Sequence, residues 1–344
     1  MTGSPVIAVV TPTRNRLTLL RETMDSVAAQ TFEDWEHLVV DDGSDDGTAE
    51  EVLRRAAADP RIRYVRRQGA KAGANVCRNL GIRDSRAEYV LFLDSDDLLR
   101  PECLEGRVKV MQRNRDLDFA VMEAAIFKHA VGDLNRLYYA YSPGDDLLRF
   151  LSHECPWPIS GPVWRKDFLE RIGGFDEGLL SMQDMEMHVR ALSARARYSC
   201  FSDVDHDVRG LDDAARTSTR HFKDPAYIEG AEKVREKLRA SVTTAGLLTW
   251  SRRRALAGLC FGAAQSWVRS GRLAEALRAW DQGCRQQGGP YALWIAGNLM
   301  LWLQCLDKSG QGLFSRLVHK WQGWARFRQE PALLVAPAAP EDRR

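Results

Sequence analysis

The chain has 344 residues, 44% hydrophobic and 28% charged, with a formal net charge of +2. That length fits one large domain or two ordinary ones, and the composition excludes a disordered or fibrous chain. So near-neutral a balance supplies no overall field for nucleic acid, and no nucleic-acid partner is expected.

The seven cysteines are scattered without CxxC spacing. They read as reduced thiols of a cytoplasmic protein, not as a disulfide framework or zinc site. Pro5–Val10 is too short for the apolar core of a signal peptide, so none is expected. No stretch reaches the about eighteen apolar residues of a membrane span. The nearest, Tyr291 to Leu306, is interrupted by Asn298 and Gln304.

In chain order, Val6–Val10 reads as a buried strand. Arg16 to Gln30 carries Leu19, Leu20, Met24, Val27 and Ala28 at helical spacing. His37–Val40 is a second strand, running into Asp41-Asp42-Gly43-Ser44. Thr48–Ala58 is helical, with Thr48 as cap and Glu50 and Glu51 in the first turn. Ile62–Arg66 is a third strand, Gly73–Arg83 a helix and Glu88–Leu93 a fourth strand. Repeated β-α-β units build an α/β fold, a mainly parallel sheet with helices on both faces. Ligands bind such sheets beyond the carboxyl ends of the strands. The acids after strands two and four therefore share one edge.

The pattern is mixed from Pro101 to about Val208. Phe119–Met122, Leu137–Tyr141 and Arg197–Phe201 read as strands; Asp145–His153, Lys166–Ile172 and Asp184–Ala194 read as helices. Past Pro225 strand signals stop. Ala255–Val268 with Leu273–Gln286, and Tyr291–Leu306 with Gly312–Phe327, read as two helical hairpins. Three parts are expected: 1–220, a helical part over 221–330, and a disordered tail over 331–344.

The fourth strand ends in Asp94-Ser95-Asp96-Asp97. Crowded carboxylates favour a divalent cation over mutual repulsion. Hard oxygen ligands suit Mg²⁺ or Mn²⁺, which keep positions open for phosphate oxygens. Such a metal stabilises charge on a departing diphosphate. The plain alternative is a solvated loop before Pro101.

Five segments carry a resemblance: VVTPTRNR (9–16), VVDDGSDDGT (39–48), GANVCRNLGI (73–82), LFLDSDD (91–97) and IGGFDEGLLSMQDMEMHVRAL (172–192). Together and in this order they resemble glycosyltransferase family 2, over roughly 5–210. The resemblance implies a GT-A fold, a Rossmann-like mixed sheet flanked by helices, here followed by a C-terminal α-helical region. It also implies an inverting enzyme that uses nucleotide-diphosphate sugars, UDP-sugars first among them.

Residue roles follow from the resemblance. Pro12, Thr13 and Arg14 meet the nucleoside. Asp42, with Asp41 beside it, accepts a base N–H, although Asp41-Asp42-Gly43-Ser44 also reads as a tight turn. Arg78 contacts the nucleotide, with Cys77 where the family has Ala. Asp94 and Asp96 are the DxD pair for Mn²⁺ or Mg²⁺, Asp94 and Ser95 also meet the donor, and Asp97 supports them. The family's acidic pair at the start of a late helix is reduced here to Gln183-Asp184. Asp184 is the expected catalytic base, ionised in a first helical turn, and Glu186 is the alternative. A family histidine that completes the metal site aligns nearer Leu211. His206 therefore stands either as a ligand or as an ordinary strand-end residue, and Arg209 as a neutraliser of diphosphate. Trp157 and Trp164 read as core residues rather than sugar platforms.

These residues imply a metal-dependent transferase acting on a glycan or lipid-linked hydroxyl in surface polysaccharide synthesis. A non-catalytic nucleotide-binding scaffold and a sugar nucleotidyltransferase are the alternatives. The tail segment 312–328 sets Leu313, Phe314, Leu317, Val318, Trp321 and Trp324 against Arg316, His319 and Lys320. It reads either as a helix lying on the inner face of a membrane or as a bundle helix.

Overall fold

The computed structural model describes residues 4–210, 224–287, 291–306 and 313–324. The expected disordered tail, 331–344, and Leu211 lie outside these residues. The first half is laid down by β1 (Ile7–Thr13), α1 (Leu17–Ala28), β2 (Trp35–Asp41), α2 (Thr48–Ala58), β3 (Ile62–Arg66), α3 (Ala74–Asp84) and β4 (Tyr89–Phe92). There follow β5 (Leu98–Leu99), α4 (Cys103–Arg113), β6 (Phe119–Phe127), β7 (Arg136–Leu137) and α5 (Asp146–Leu151). The domain closes with β8 (Pro162–Arg165), α6 (Lys166–Arg171), α7 (Gln183–Ser193) and β9 (Tyr198–Arg209).

The strands make one mixed sheet in the order β3-β2-β1-β4-β8-β6-β9-β5, with β7 on β6. β3, β2, β1 and β4 run parallel; β8 is antiparallel to β4 and β6. Helices cover both faces, so β1, β2 and β4 are buried along their whole length rather than on alternate residues. Along β1, Ile7 and Val9 enter the core beneath α1 and α4, while Ala8 and Val10 enter the one beneath α3 and α7. Gly81 lets α3 lie against β1: a Cβ there would stand 2.2 Å from Val10 Cγ1.

Two expected strands differ from the fold. Of the expected Leu137–Tyr141 only Leu137 is in a strand on β6, and Arg136 before it completes β7. The strand expected to end at Phe201 continues to Arg209, past a register shift opposite Met122 to Ala124. Its second half is hidden from hydropathy by Asp203, Asp205, Asp207 and Arg209. The burial of two of these acids is offset by ion pairs, Asp205 with Arg107 at 2.7 Å and Asp207 with Arg100 at 3.0 Å.

The C-terminal helices are α8 (Pro225–Thr244), α9 (Trp250–Arg269), α10 (Leu273–Gln287), α11 (Tyr291–Leu306) and α12 (Leu313–Trp324). Within the expected helical part no individual helix was delimited at α8, although Asp224 caps it, accepting from Ala226 N at 2.9 Å, with Pro225 at its first position. Val234, Leu238 and Val242 of α8, with Ala255, Leu256 and Leu259 of α9, join the core beneath α5 and α7. Packing is thus continuous across residue 220, and a division there stands as a proposal about chain organisation. Farther along, Phe261, Trp267, Trp280 and Leu301 centre a separate helical core.

The bundle alternative describes α12 better than the membrane-surface one. Val318 is 2% exposed, the Trp321 ring packs against Phe261 with centroids 4.9 Å apart, and buried Gln322 donates to Gln265 at 2.9 Å. These side chains already have partners inside the bundle, although Leu317 faces outward.

Two buried imidazoles make stability depend on pH. His37 bonds Thr11 Oγ1 at 2.9 Å, and His188 lies between Phe150 and Trp164. Burial, with Arg55's charge adding for His37 and Arg78's for His188, lowers each pKa from 6.5 to about 3. The unfolded imidazole takes a proton as pH falls through 6.5; the folded one does not until about 3. Stability is therefore complete above pH 6.5 and falls below it, by about 1.4 kcal/mol per unit for each residue. A His188→Leu variant should lose one such increment of slope in urea midpoints measured between pH 7 and 4.5. An unchanged slope would refute this.

Candidate active site

The strand ends meet as their spacing dictates. Asp42 N donates to Thr13 O at 2.9 Å, and Leu93 N donates to Val10 O at 3.0 Å. The carboxyl ends of β1, β2 and β4 therefore form one rim, with the acids just beyond it. Pro12 and Thr13 lie buried in β1 itself, whereas Arg14 is exposed. Thr13 Oγ1 is buried without a hydrogen-bond partner at this rim.

The two acids after β2 differ. Asp41 is fully engaged: Oδ1 accepts from Ser44 N at 2.8 Å and Ser44 Oγ at 2.6 Å, and Oδ2 from Tyr64 at 2.7 Å. It builds the turn; Asp42 is the one that reaches the loop above. Asp42 pairs with Arg67 and accepts from Gly73 N at 2.9 Å. Arg67 also donates to Gly69 O at 2.6 Å and Lys71 O at 2.8 Å.

α3 faces the rim through one residue and a loop through two others. Asn75 Nδ2 donates to Asp176 O and Asn79 Nδ2 to Phe175 O, each at 2.8 Å, while Phe175 N donates to Asn79 Oδ1 at 2.8 Å. The loop approaches so closely that a Cβ on Gly174, at φ +62°, would stand 2.5 Å from Asn79 Oδ1. Arg78, 3% exposed, points into the cleft. Its Nη2 donates to Asp94 Oδ1 at 2.7 Å, its Nη1 to Asp184 Oδ1 at 3.5 Å, and its Nε is buried unpaired. One guanidinium thus bridges the acid after β4 and the acid opening α7.

Asp184 sits in the first turn of α7, behind Met182 in a left-handed conformation (φ 53°). Its side chain is 44% exposed, so it opens to the cleft although protein crowds its other sides. That crowding raises its pKa; Arg78 opposes the rise and Asp94 adds to it. Glu186, the alternative base, is 3% exposed and held bidentately by Arg190, whose other contacts are Ile172 O and Gly174 O. It locks the Gly173-Gly174 turn and has no face on the cleft.

The acids after β4 also take separate roles. Asp94 is 39% exposed. Asp96 Oδ2 accepts from Arg16 Nη1 at 2.9 Å. Asp97 is buried, accepting from Arg209 N at 3.0 Å and Ser160 Oγ at 3.4 Å. Ser95 is 5% exposed between them. Arg209 does not point to open solvent: it donates to Asp96 O at 3.0 Å and pairs with Glu22, clamping the turn.

His206 is fully buried in β9, its Nδ1 between Asp205 at 2.8 Å and Arg107 at 3.1 Å. That arrangement is the strand-histidine alternative. Trp157 and Trp164 are buried around Phe119, as core residues.

Carboxylates at this rim are thus held by arginines: Asp42 by Arg67, Asp94 and Asp184 by Arg78, Asp96 by Arg16. The residues suit a cation only in part. Asp94 and Asp96 offer hard oxygens, but among the described residues no group of three His, Cys, Asp or Glu is placed to hold a metal. A divalent ion here would take oxygens from two carboxylates and the rest from diphosphate and water. Arg16 and Arg67 had no role assigned from sequence, although Arg16 closes the segment VVTPTRNR. Their partners lie far along the chain, or across a loop of unset length.

A mixed sheet with helices on both faces, and acids and arginines gathered beyond β1, β2 and β4, is the arrangement of a GT-A domain. The chain matches the family model described as Glycosyl transferase family 2 over residues 8–153. It is 36% identical over 107 residues to a putative teichuronic acid biosynthesis glycosyltransferase of Bacillus subtilis, covering 31% of this chain and 42% of that one. It is 35% identical over 116 residues to a GalNAc(5)-diNAcBac-PP-undecaprenol beta-1,3-glucosyltransferase of Campylobacter jejuni, covering 34% and 36%. The chain spans 31% of the length of another relative, an uncharacterized glycosyltransferase of Rickettsia felis. In fold it is similar to S. aureus TarS 1-349, solved in complex with UDP-GlcNAc. That match has a TM-score of 0.55 at 17% identity and covers 83% of this chain and 93% of that one.

Proposed function

We propose that this chain is an inverting glycosyltransferase. It moves a sugar from a nucleotide-diphosphate sugar to a hydroxyl of a glycan or lipid-linked acceptor in surface polysaccharide synthesis. The observation that carries the reading is Arg78, buried and bridging Asp94 and Asp184. It brings a donor-side acid and a candidate base into one cleft around a single cation. The UDP-GlcNAc complex of the TarS fold and the undecaprenol-linked acceptor in the Campylobacter relative's name support the donor and acceptor classes.

In this mechanism Thr13 and Asp42 receive the nucleoside, and Arg78 stabilises negative charge on the diphosphate side. Asp184 accepts the proton of the acceptor hydroxyl. The hydroxyl oxygen bonds to the anomeric carbon as its bond to diphosphate breaks, so configuration inverts and nucleoside diphosphate leaves. Mn²⁺ or Mg²⁺, held by Asp94 and Asp96, would neutralise the departing diphosphate. The enzyme would work in the cytoplasm, at the inner face of the membrane.

The test is donor turnover over a panel of nucleotide sugars with Mn²⁺, Mg²⁺ or chelator, with the product anomer read by NMR. A product of inverted configuration is expected from one donor. Asp96→Asn should raise the metal concentration for half-maximal rate by at least tenfold. Rates indifferent to chelator and to Asp96→Asn would remove the metal; no turnover with any donor would remove the transferase reading.

A further inference from the structure

α11 carries no charged residue over its sixteen positions. Its inner side is committed to the bundle. Leu293 and Leu301 are buried, Gly297 lies so close to Trp280 that a Cβ would stand 2.2 Å from the indole, and Trp280 Nε1 donates to Trp294 O at 3.1 Å. Its outer side is as apolar as its inner one. Ile295, Leu299, Trp302 and Leu306 are 49%, 53%, 52% and 66% exposed. Their spacing of four, three and four residues puts all four on one line along the helix, about 16 Å long at 1.5 Å per residue. Single exposed apolar side chains are ordinary; a continuous line of four large ones is the mark of a surface that meets something apolar.

Charge decides what that is. Neither α11 nor α12 contains an acid, and α12, packed beside α11, exposes Arg316, His319 and Lys320 next to exposed Leu317. The nearby acid Asp281 of α10 is already engaged, by Trp294 Nε1 at 3.0 Å and Arg285 at 2.9 Å. An apolar line beside a basic rim complements an anionic bilayer, with aliphatic side chains among acyl chains and Trp302 at headgroup depth. A second copy of the same face would instead bring two basic rims together. No helix among the described residues is long and apolar enough to cross a membrane, so α11 would lie in the interface plane.

We propose that α11 seats this protein on an anionic lipid surface through Ile295, Leu299, Trp302 and Leu306, with the α12 cations at the headgroups. This places the contact on a different helix from the one whose sequence pattern suggests it. The surface is separate from the Arg78 cleft, so the proposal holds or fails independently of the transferase reading.

The experiment is co-sedimentation of the full chain with vesicles of phosphatidylcholine alone or with one quarter phosphatidylglycerol, alongside light scattering for oligomeric state. The wild type should bind the anionic vesicles at least tenfold more strongly than the neutral ones, and bind less as salt rises. A Leu299→Glu/Trp302→Glu variant should lose at least tenfold in binding while keeping the wild-type circular dichroism and its nucleotide affinity. Arg316→Glu/Lys320→Glu should remove the preference for anionic vesicles. Wild-type binding retained by the α11 variant, or no vesicle binding by the wild type, overturns the proposal. So does a wild-type dimer that the α11 variant dissociates, which would assign the face to a second copy.

Discussion

Asp184→Asn should lower the transfer rate by about 10²–10⁴-fold while leaving nucleotide affinity within about threefold, because it removes the proposed general base and little else. The substitution keeps the size and polarity of the side chain. Asp184 is 44% exposed and makes one long contact, 3.5 Å from Arg78, so folding has little to lose. The pH profile gives a second reading. A base works ionised, so the rate falls as pH drops through its pKa. Burial raises that pKa, with Asp94 adding and Arg78 opposing, so the acid limb should lie above the range of an ordinary carboxylate. Turnover measured from pH 4 to 8 against nucleotide binding by calorimetry decides it. An Asn variant with wild-type turnover would move the base elsewhere; Glu186, tied to Arg190, is a poor substitute.

Arg78→Met should cost about 10²-fold in turnover and move the acid limb to higher pH. Among the described residues Arg78 pairs with both Asp94 and Asp184, at 2.7 and 3.5 Å. Without it the two carboxylates repel each other, and Asp184 holds its proton more tightly. Arg78→Lys should recover part of the rate but not the whole profile. A compact ammonium on a flexible stem cannot span two acids as a planar fork does. A purely structural arginine would lower the amount of folded enzyme without displacing the pH profile of what remains. An acid limb that stays in place in both variants would therefore remove Arg78 from the electrostatics of the base.

The half of the sheet built from β1 to β4 was legible element by element, although β1 runs on to Thr13 and β2 begins at Trp35. α2 and β3 match their expected bounds, Thr48–Ala58 and Ile62–Arg66, because local hydrophobic periodicity and turn residues coincide there. β9 was legible only in its first residues. Asp205 and Asp207 are acceptable in a buried strand only because Arg107 and Arg100, about a hundred positions earlier, reach them. α8 had its signals, Asp224 before Pro225 and apolar residues three and four apart, and reading them would have found it.

The rim shows the same division. Clustered acids after β2 and β4 belong to the sequence, and so does the expectation that something positive must offset them. Local order determined that these acids share one edge, since parallel strands put their carboxyl ends together. Which acid meets which cation was decided by tertiary structure: Arg16, Arg67 and Arg78 each close a contact whose partner lies across the fold. Tertiary structure also turned Glu186, His206 and Arg209 inward and left the outer line of α11 bare. Periodicity records which residues share a face, but only packing decides whether that face is covered, because burial depends on neighbours distant in the chain.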